Sequence, residues 1–233
     1  MSSATSAMKL ALASLFVAHA QANSFGNSWS LPAPSSPNYI RVANSTLIVP
    51  DAPNPIVNEL ALWTGMGMSN GDLVQSVTIN QPGDAEGGCG NVGSDYCVVA
   101  STLDDGASGQ SIGNGHGTAS PGDSVMFSYI YNEQTSNTDQ YAYINGNLVS
   151  TYSSSNGAHA NGFGTAEECQ DGTPCGVVPQ HQWTDITFVL NEPDESFADN
   201  AGGNGYSGGY MSTPDGGTTW YVSTVTIDEY DFS

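Results

Sequence analysis

Short runs of apolar and β-branched residues, separated by clusters of Gly, Asn, Asp, Ser and Pro, fill the chain after residue 22. Alternation with a period of two recurs in these runs, and no long segment shows the 3.6-residue period of a helix. The pattern predicts strands at 38–49, 58–65, 72–80, 96–103, 123–131, 139–152, 163–169, 183–190 and 218–232. About ten strands at this spacing are typical of an all-β sandwich or jelly roll.

One hairpin turn is specific. Asn145-Gly146 lies between two alternating runs inside 139–152, and this dipeptide is preferred in two-residue type I′ turns. We therefore expect two antiparallel strands there.

The first 22 residues predict a secretory signal. Lys9 precedes an apolar run at 10–17, and Ala20-Gln21-Ala22 fits a small-residue cleavage site. We expect residues 23–37 to form an extended, loosely held arm and residues 38–233 to form a single sandwich domain. No later stretch approaches the roughly 20 apolar residues of a membrane helix, so we expect a secreted, extracellular product without a membrane partner.

The charge balance excludes several functions. The chain has a formal net charge of −21, and removal of the signal leaves Arg41 as its one basic residue besides histidine. Such a surface repels nucleic acid, and a mature chain without lysine cannot carry pyridoxal chemistry. The excess of carboxylates fits an acidic habitat or simple solubility, and we expect a monomer.

The cysteines and the single glycosylation sequon are also typical of a secreted protein. Four cysteines allow three pairings, and their spacing favours the local ones, Cys89 with Cys97 and Cys169 with Cys175. The sequon at Asn44 predicts a glycan on an exposed position. CxxC spacing is absent, and we expect neither a metal nor a cofactor.

Carboxylate and amide side chains are the remaining candidates for catalytic groups. No serine lies in a Gly-x-Ser-x-Gly elbow, and His116, His159 and His181 stand far apart in the sequence.

Several segments in a fixed order resemble the fungal glutamic peptidases, the eqolisin family. They are Thr46-Leu47-Ile48-Val49-Pro50, Trp63-x-Gly65, Gln75, Ala166 with Glu168, then Val178-Pro179 and a Thr-rich strand, over roughly residues 46–190. The resemblance implies a concanavalin A-like β-sandwich of two antiparallel sheets. It further implies an acid-acting hydrolase of polypeptide, with Glu168 as general base and acid and Gln75 as oxyanion donor near Trp63.

Strand parity makes separate predictions for the two catalytic candidates. Glu168 alternates with Gly164 and Ala166 and is expected to face an open groove, whereas Glu167 faces the other way. Gln75 alternates with Leu73, Val77 and Ile79, so a regular strand would bury it unless a bulge turns it outward.

A second hypothesis is a carbohydrate-binding or carbohydrate-active sandwich, because Thr165-Ala166-Glu167 stands before Glu168 where the family has a tryptophan and an aliphatic run. A lectin, glucanase or polysaccharide lyase of this fold would stack neutral sugar rings on aromatic side chains. The candidates are Trp63, Tyr129, Tyr131, Tyr141, Tyr143 and Trp183. Such aromatic stripes also fit a hydrophobic core, and a non-catalytic secreted protein is a third possibility.

Overall fold

The computed structural model describes residues 23–105, 109–170 and 174–233, so the predicted signal at 1–22 lies outside the described residues. The strands are β1 Ser24–Leu31, β2 Ile40–Ile48, β3 Leu60–Met68, β4 Leu73–Asn80, β5 Asp84–Ala85, β6 Gly90–Asn91, β7 Tyr96–Leu103, β8 Gln110–Ile112, β9 Gly117–Ala119, β10 Ser124–Asn132, β11 Asn137–Ile144, β12 Asn147–Ser154, β13 Ala160–Cys169, β14 Val177–Val178, β15 His181–Leu190, β16 Gly202–Asn204, β17 Tyr206–Gly208, β18 Met211–Ser212, β19 Thr219–Ile227 and β20 Tyr230–Asp231. One 3₁₀ turn spans Phe197–Asn200. In the part of the chain just given, no helix is long and apolar enough to cross a membrane.

Two antiparallel layers pack face to face. The first layer has the order β16-β1-β13-β3-β4-β7-β8, and the second has the order β12-β11-β10-β2-β15-β19. The backbone pair Ile40 and Ala160 joins β2 to β13 and so links the two layers at one point. The prediction of an all-β, concanavalin A-like sandwich of two antiparallel sheets is confirmed.

The space between the layers holds the main hydrophobic core. Leu62, Met66 and Val74 from the first layer meet Phe127 and Phe188 from the second. Hydrogen bonds cross this space as well, since the Tyr129 hydroxyl donates to the Thr64 carbonyl at 2.6 Å and accepts from the Ser76 amide at 2.9 Å. These bonds fix the second layer against the first.

The outer face of the first layer, the face turned away from the second layer, carries a smaller cluster. We call it the outer cluster, and its members include Ala61, Trp63, Val77, Val99 and Ala166. The segment 81–95, called here the cover segment, adds Ala85 and Val92 to this cluster. The predicted disulfide Cys89–Cys97 is present, with an S–S distance of 2.07 Å, and it attaches the cover segment to β7. Cys169–Cys175 is present as well, at 2.06 Å.

The strands predicted from the pattern correspond to β2, β3, β4, β7, β10, β11 with β12, β13, β15 and β19. The hairpin turn is confirmed, because Asn145 and Gly146 both have positive φ, 49° and 80°. The expected loose arm is wrong for its first half. Residues 24–31 form β1, which pairs with both β13 and β16, because Trp29 and Leu31 fill the core.

Candidate functional site

Glu168 lies on the outer face of the first layer, near the end of β13. It stands opposite Ala61 of β3 and Phe25 of β1. The preceding residue, Glu167, faces the core and is fully buried. The prediction that these two glutamates face opposite sides of the strand therefore agrees with the structure.

Neutral donors hold the Glu168 carboxyl group. Its Oε1 accepts a hydrogen bond from Asn23 Nδ2 at 2.6 Å, and its Oε2 accepts one from the Trp63 indole at 2.8 Å. Trp63 is itself almost fully buried in the outer cluster, so its indole N–H has a fixed direction. The carboxyl group is thus oriented by dipoles rather than by a cationic side chain.

The pKa of Glu168 is raised from its ordinary value. Burial raises it, while hydrogen bonds from the side chains of Asn23, Trp63 and Gln170 lower it in part. Because burial has the larger effect, the group stays protonated to a higher pH than an exposed glutamate. A carboxyl group of this kind can both take a proton and return it.

A cavity of about 460 Å³ lies beside Gln170, two residues after Glu168. It is lined by Val57, Asn58, Glu59, Gln81, Pro82, Glu86, Gln110 and Gln170. Gln170 connects the two features, because its side chain bonds Glu168 while it also forms part of the cavity wall. Its backbone is fixed by an N–H bond to the Glu59 carbonyl at 2.9 Å and by Asn58 Nδ2, which donates to the Gln170 carbonyl at 2.6 Å.

The structure does not bring Gln75 to Glu168. Gln75 lies in one row with Gly65 and Gly164, and Glu168 is four residues further along β13. The Cα atoms of Gln75 and Glu168 are two strand spacings apart across the sheet and four residues apart along it. Together these two offsets place them about 16 Å from each other. Trp63 lies between the two rows, so the two side chains cannot share one water molecule.

Gln75 is also buried, as its alternation predicts, because β4 runs between β3 and β7 without a bulge. Its side chain is 5% exposed, and its Oε1 has no hydrogen-bond partner within the described chain. Gly65 allows this packing, since a Cβ there would come within 2.9 Å of the Gln75 Cβ.

Sequence reasoning missed Gln170. It lies one position after the end of β13 and two after Glu168, and this short distance in the sequence is a signal that could have found it. The glutamate and glutamine that the structure brings together are therefore Glu168 and Gln170.

The aromatic residues proposed to stack on sugar rings do not form one groove. Trp63 belongs to the outer cluster, while Tyr129 and Trp183 are buried in the core between the layers. Tyr131 packs edge-on against Tyr39 and His159, with ring centroids 5.7 and 4.9 Å away. Tyr141 and Tyr143 are partly exposed on β11, in the second layer.

Glu167 and His181 form a buried pair that the sequence pattern did not reveal. Glu167 Oε1 lies 3.8 Å from His181 Nδ1, and Glu167 Oε2 accepts the Asn27 backbone N–H at 2.7 Å. Burial raises the pKa of Glu167 to about 8 and lowers the pKa of His181 to about 4. Both groups therefore favour their neutral forms in the fold.

Two other sequence predictions concern modification and metals. Asn44 lies within β2, between β10 and β15, is partly buried, and donates to Thr187 Oγ1 at 2.9 Å. Glycosylation at Asn44 stays a prediction. Across 23–105, 109–170 and 174–233, no group of three or more His, Cys, Asp or Glu side chains is placed to hold a metal ion.

Comparison with known proteins identifies the fold. No protein-family model matches the chain, and no curated protein matches it either. The structure of scytalido-glutamic peptidase with a transition-state analogue inhibitor is similar over 86% of this chain and 99% of that chain, with a TM-score of 0.52 and 14% identity. SCP-B, a peptidase of the eqolisin family in complex with the tripeptide Ala-Ile-His, covers the same shares at 15% identity and a TM-score of 0.48. Sheep galectin-11 covers 62% of this chain and 92% of its own, at 11% identity and a TM-score of 0.31. The first similarity shows that this chain has the two-layered β-sandwich fold of scytalido-glutamic peptidase.

Proposed function

We propose that this chain is a secreted, acid-acting hydrolase of polypeptides in which Glu168 exchanges a proton with the attacking water. The observation that supports this most directly is the geometry of the Glu168 carboxyl group. It is held by Trp63 and two side-chain amides and has a raised pKa, and one of those amides, Gln170, lines a polar cavity. The fold, shared with a glutamic peptidase, is consistent with this function but does not by itself establish it.

In the proposed reaction, the ionised Glu168 removes a proton from water as the water attacks a peptide carbonyl carbon. The protonated Glu168 then gives that proton to the leaving amine, so the carboxylate is restored at the end. The Gln170 amide is a neutral N–H donor near the same carboxyl group and can stabilise the negative charge that develops on the carbonyl oxygen. In this scheme Gln170 has the role that the family resemblance assigned to Gln75.

Secretion is part of the same proposal. The two disulfides are the kind of cross-link that persists in an oxidising compartment, and the first 22 residues have the pattern of a secretory signal. The glycan alternative is not supported to the same degree, because the aromatic candidates lie in separate places.

The direct test is cleavage of an unfolded protein substrate between pH 2 and 7 by the chain that begins at Asn23. Glu168→Gln is compared with Glu195→Gln, which makes the same change on an exposed carboxyl group. We expect acid-limited cleavage by the wild type, a loss of at least about 100-fold in Glu168→Gln, and no change in Glu195→Gln. A wild type that cleaves nothing at any pH, or a Glu168→Gln variant of undiminished activity, contradicts the proposal.

A further inference from the structure

The start of β1 lies directly beside Glu168. Ser24 pairs with Cys169 and Phe25 pairs with Glu168 in the β1–β13 ladder. The residue before them, Asn23, donates its side-chain amide to Glu168 Oε1 at 2.6 Å. The residue that follows the predicted signal cleavage site therefore touches the carboxyl group of the candidate site.

A second attachment fixes this position of the chain. The Asn27 N–H donates to Glu167 Oε2 on the opposite face of β13, and Asn27 Nδ2 donates to the Asp228 carbonyl at 3.0 Å. Between them, a Cβ at Gly26 would collide with the Glu167 carboxylate and with Phe232. The beginning of β1 is thus held on both sides of β13 and has little freedom to move away from Glu168.

We propose that cleavage between Ala22 and Asn23 completes this site, by placing the new α-ammonium group of Asn23 next to the Glu168 carboxylate as its charged partner. Covalent geometry keeps the backbone nitrogen of an asparagine within roughly 5 Å of its own Nδ2, and hence within about 8 Å of Glu168 Oε1. An α-amino group has an ordinary pKa of about 8, so it is positively charged throughout the acidic range.

The surroundings of Glu168 explain why this charge matters. The three side chains that bond it, Asn23, Trp63 and Gln170, are neutral. The ionisable groups on the elements packed around it are acidic. Glu59, just before β3, and Glu86 of the cover segment line the cavity beside Gln170, and Glu167 lies on the other face of β13. Arg41, the one basic side chain that cleavage leaves besides histidine, lies 3.7 Å from Glu133 on another part of the molecule.

The effect of the new charge has a definite sign. A positive group close to a carboxylate favours its ionised form, whereas burial favours the protonated form. Signal removal therefore lowers the pKa of Glu168 relative to the same chain with a blocked terminus. The pairing does not require that the protein be a hydrolase, although it would let Glu168 act as a base at lower pH.

The composition of the chain supplies a selective experiment. The mature protein contains no lysine, because Lys9 lies in the signal, so an amine-reactive acetylating reagent modifies the α-amino group alone. The pKa of Glu168 is measured by NMR on ¹³C-glutamate-labelled protein, before and after acetylation, with Glu168→Gln used to assign the signal. We expect acetylation to raise the pKa of Glu168 by about one unit and to leave exposed Glu195 unchanged.

Measuring the pKa of the α-amino group as well distinguishes a direct pairing from a change in fold. The pKa of the α-amino group, followed through its rate of acetylation against pH, is expected to fall in Glu168→Gln, because the ammonium loses its partner. Equal Glu168 titration in the free and acetylated proteins overturns the proposal. So does mass spectrometry of the secreted protein that finds its first residue to be Gln21, whose cyclised form has no amine. Neither result depends on whether the protein cleaves peptides.

Discussion

Glu167 and Glu168 are consecutive residues with opposite surroundings, because successive side chains of a strand point to opposite faces. Glu168 lies on the outer face of the first layer and accepts hydrogen bonds from neutral side-chain donors. Glu167 is enclosed in the core, where the Asn27 N–H and His181 are its polar neighbours. The first arrangement suits proton exchange with a ligand, and the second makes the stability of the fold depend on pH.

Gln170 is expected to contribute directly to catalysis. Gln170→Ala removes the amide beside Glu168 and should reduce cleavage about 100-fold or more, whereas Gln75→Met, which keeps the size of a buried side chain, should stay within a few-fold of wild type. Peptide release at the pH optimum measures both. The opposite ranking would return the oxyanion role to Gln75 and contradict the assignment to Gln170.

The buried glutamate should make the protein less stable in mildly alkaline solution. Its pKa is about 8 in the fold against an ordinary 4.5, so between these values the unfolded chain releases a proton that the folded chain keeps. His181 opposes this between its folded pKa of about 4 and its ordinary 6.5. The net loss is therefore expected from pH 6.5 to 8 and should reach up to about 2 kcal/mol.

Urea unfolding at pH 6.5 and 8 measures that loss, and Glu167→Gln should abolish most of it while Glu195→Gln should not. A Glu167→Gln variant with the wild-type pH profile would show that Glu167 is already ionised in the fold.

At the scale of elements, the strands with clear alternation could be predicted from the sequence, and those held by tertiary contacts could not. β2 and β10 alternate between buried and more exposed residues over much of their length, and both appear as expected. β1 was missed because Gly26, Asn27 and Ser28 resemble a loop, and only pairing with β13 makes them a strand.

The candidate site was also predicted only in part. The family resemblance pointed to Glu168, and parity predicted its face. The offset between the rows of Glu168 and Gln75 depends on the register between strands, which no single segment of the sequence contains.

The cover segment should lose its attachment when Cys89 and Cys97 are both replaced by serine. The eight-residue separation of this pair predicts a loss of about 2–3 kcal/mol in the free energy of unfolding. Because this bridge attaches the cover segment to β7, we also expect its loss to give faster hydrogen exchange at 81–95. Replacement of Cys169 and Cys175 is the control, and should leave exchange in the cover segment unchanged.

At the scale of the whole molecule, charge repulsion is the dominant long-range effect. With a formal charge of −21 at pH 7 and two Lys or Arg residues, carboxylates repel one another across the surface. Added salt screens this repulsion, so 0.5 M NaCl should raise the melting temperature clearly at pH 8 and much less at pH 4, where many carboxyl groups are protonated. Melting curves at low and high salt check this, and equal salt effects at the two pH values would contradict it.

The opposite orientation of two adjacent glutamates also limits how the chain can change length. Insertion or deletion of one residue early in β13, between Ala160 and Thr165, would exchange the faces of everything that follows if pairing were kept. Glu168 would then enter the core beside His181, and Glu167 would lie on the outer face in place of Glu168. Relatives of this protein are therefore expected to vary in length in the segments outside 160–170, and to keep the spacing within that strand fixed.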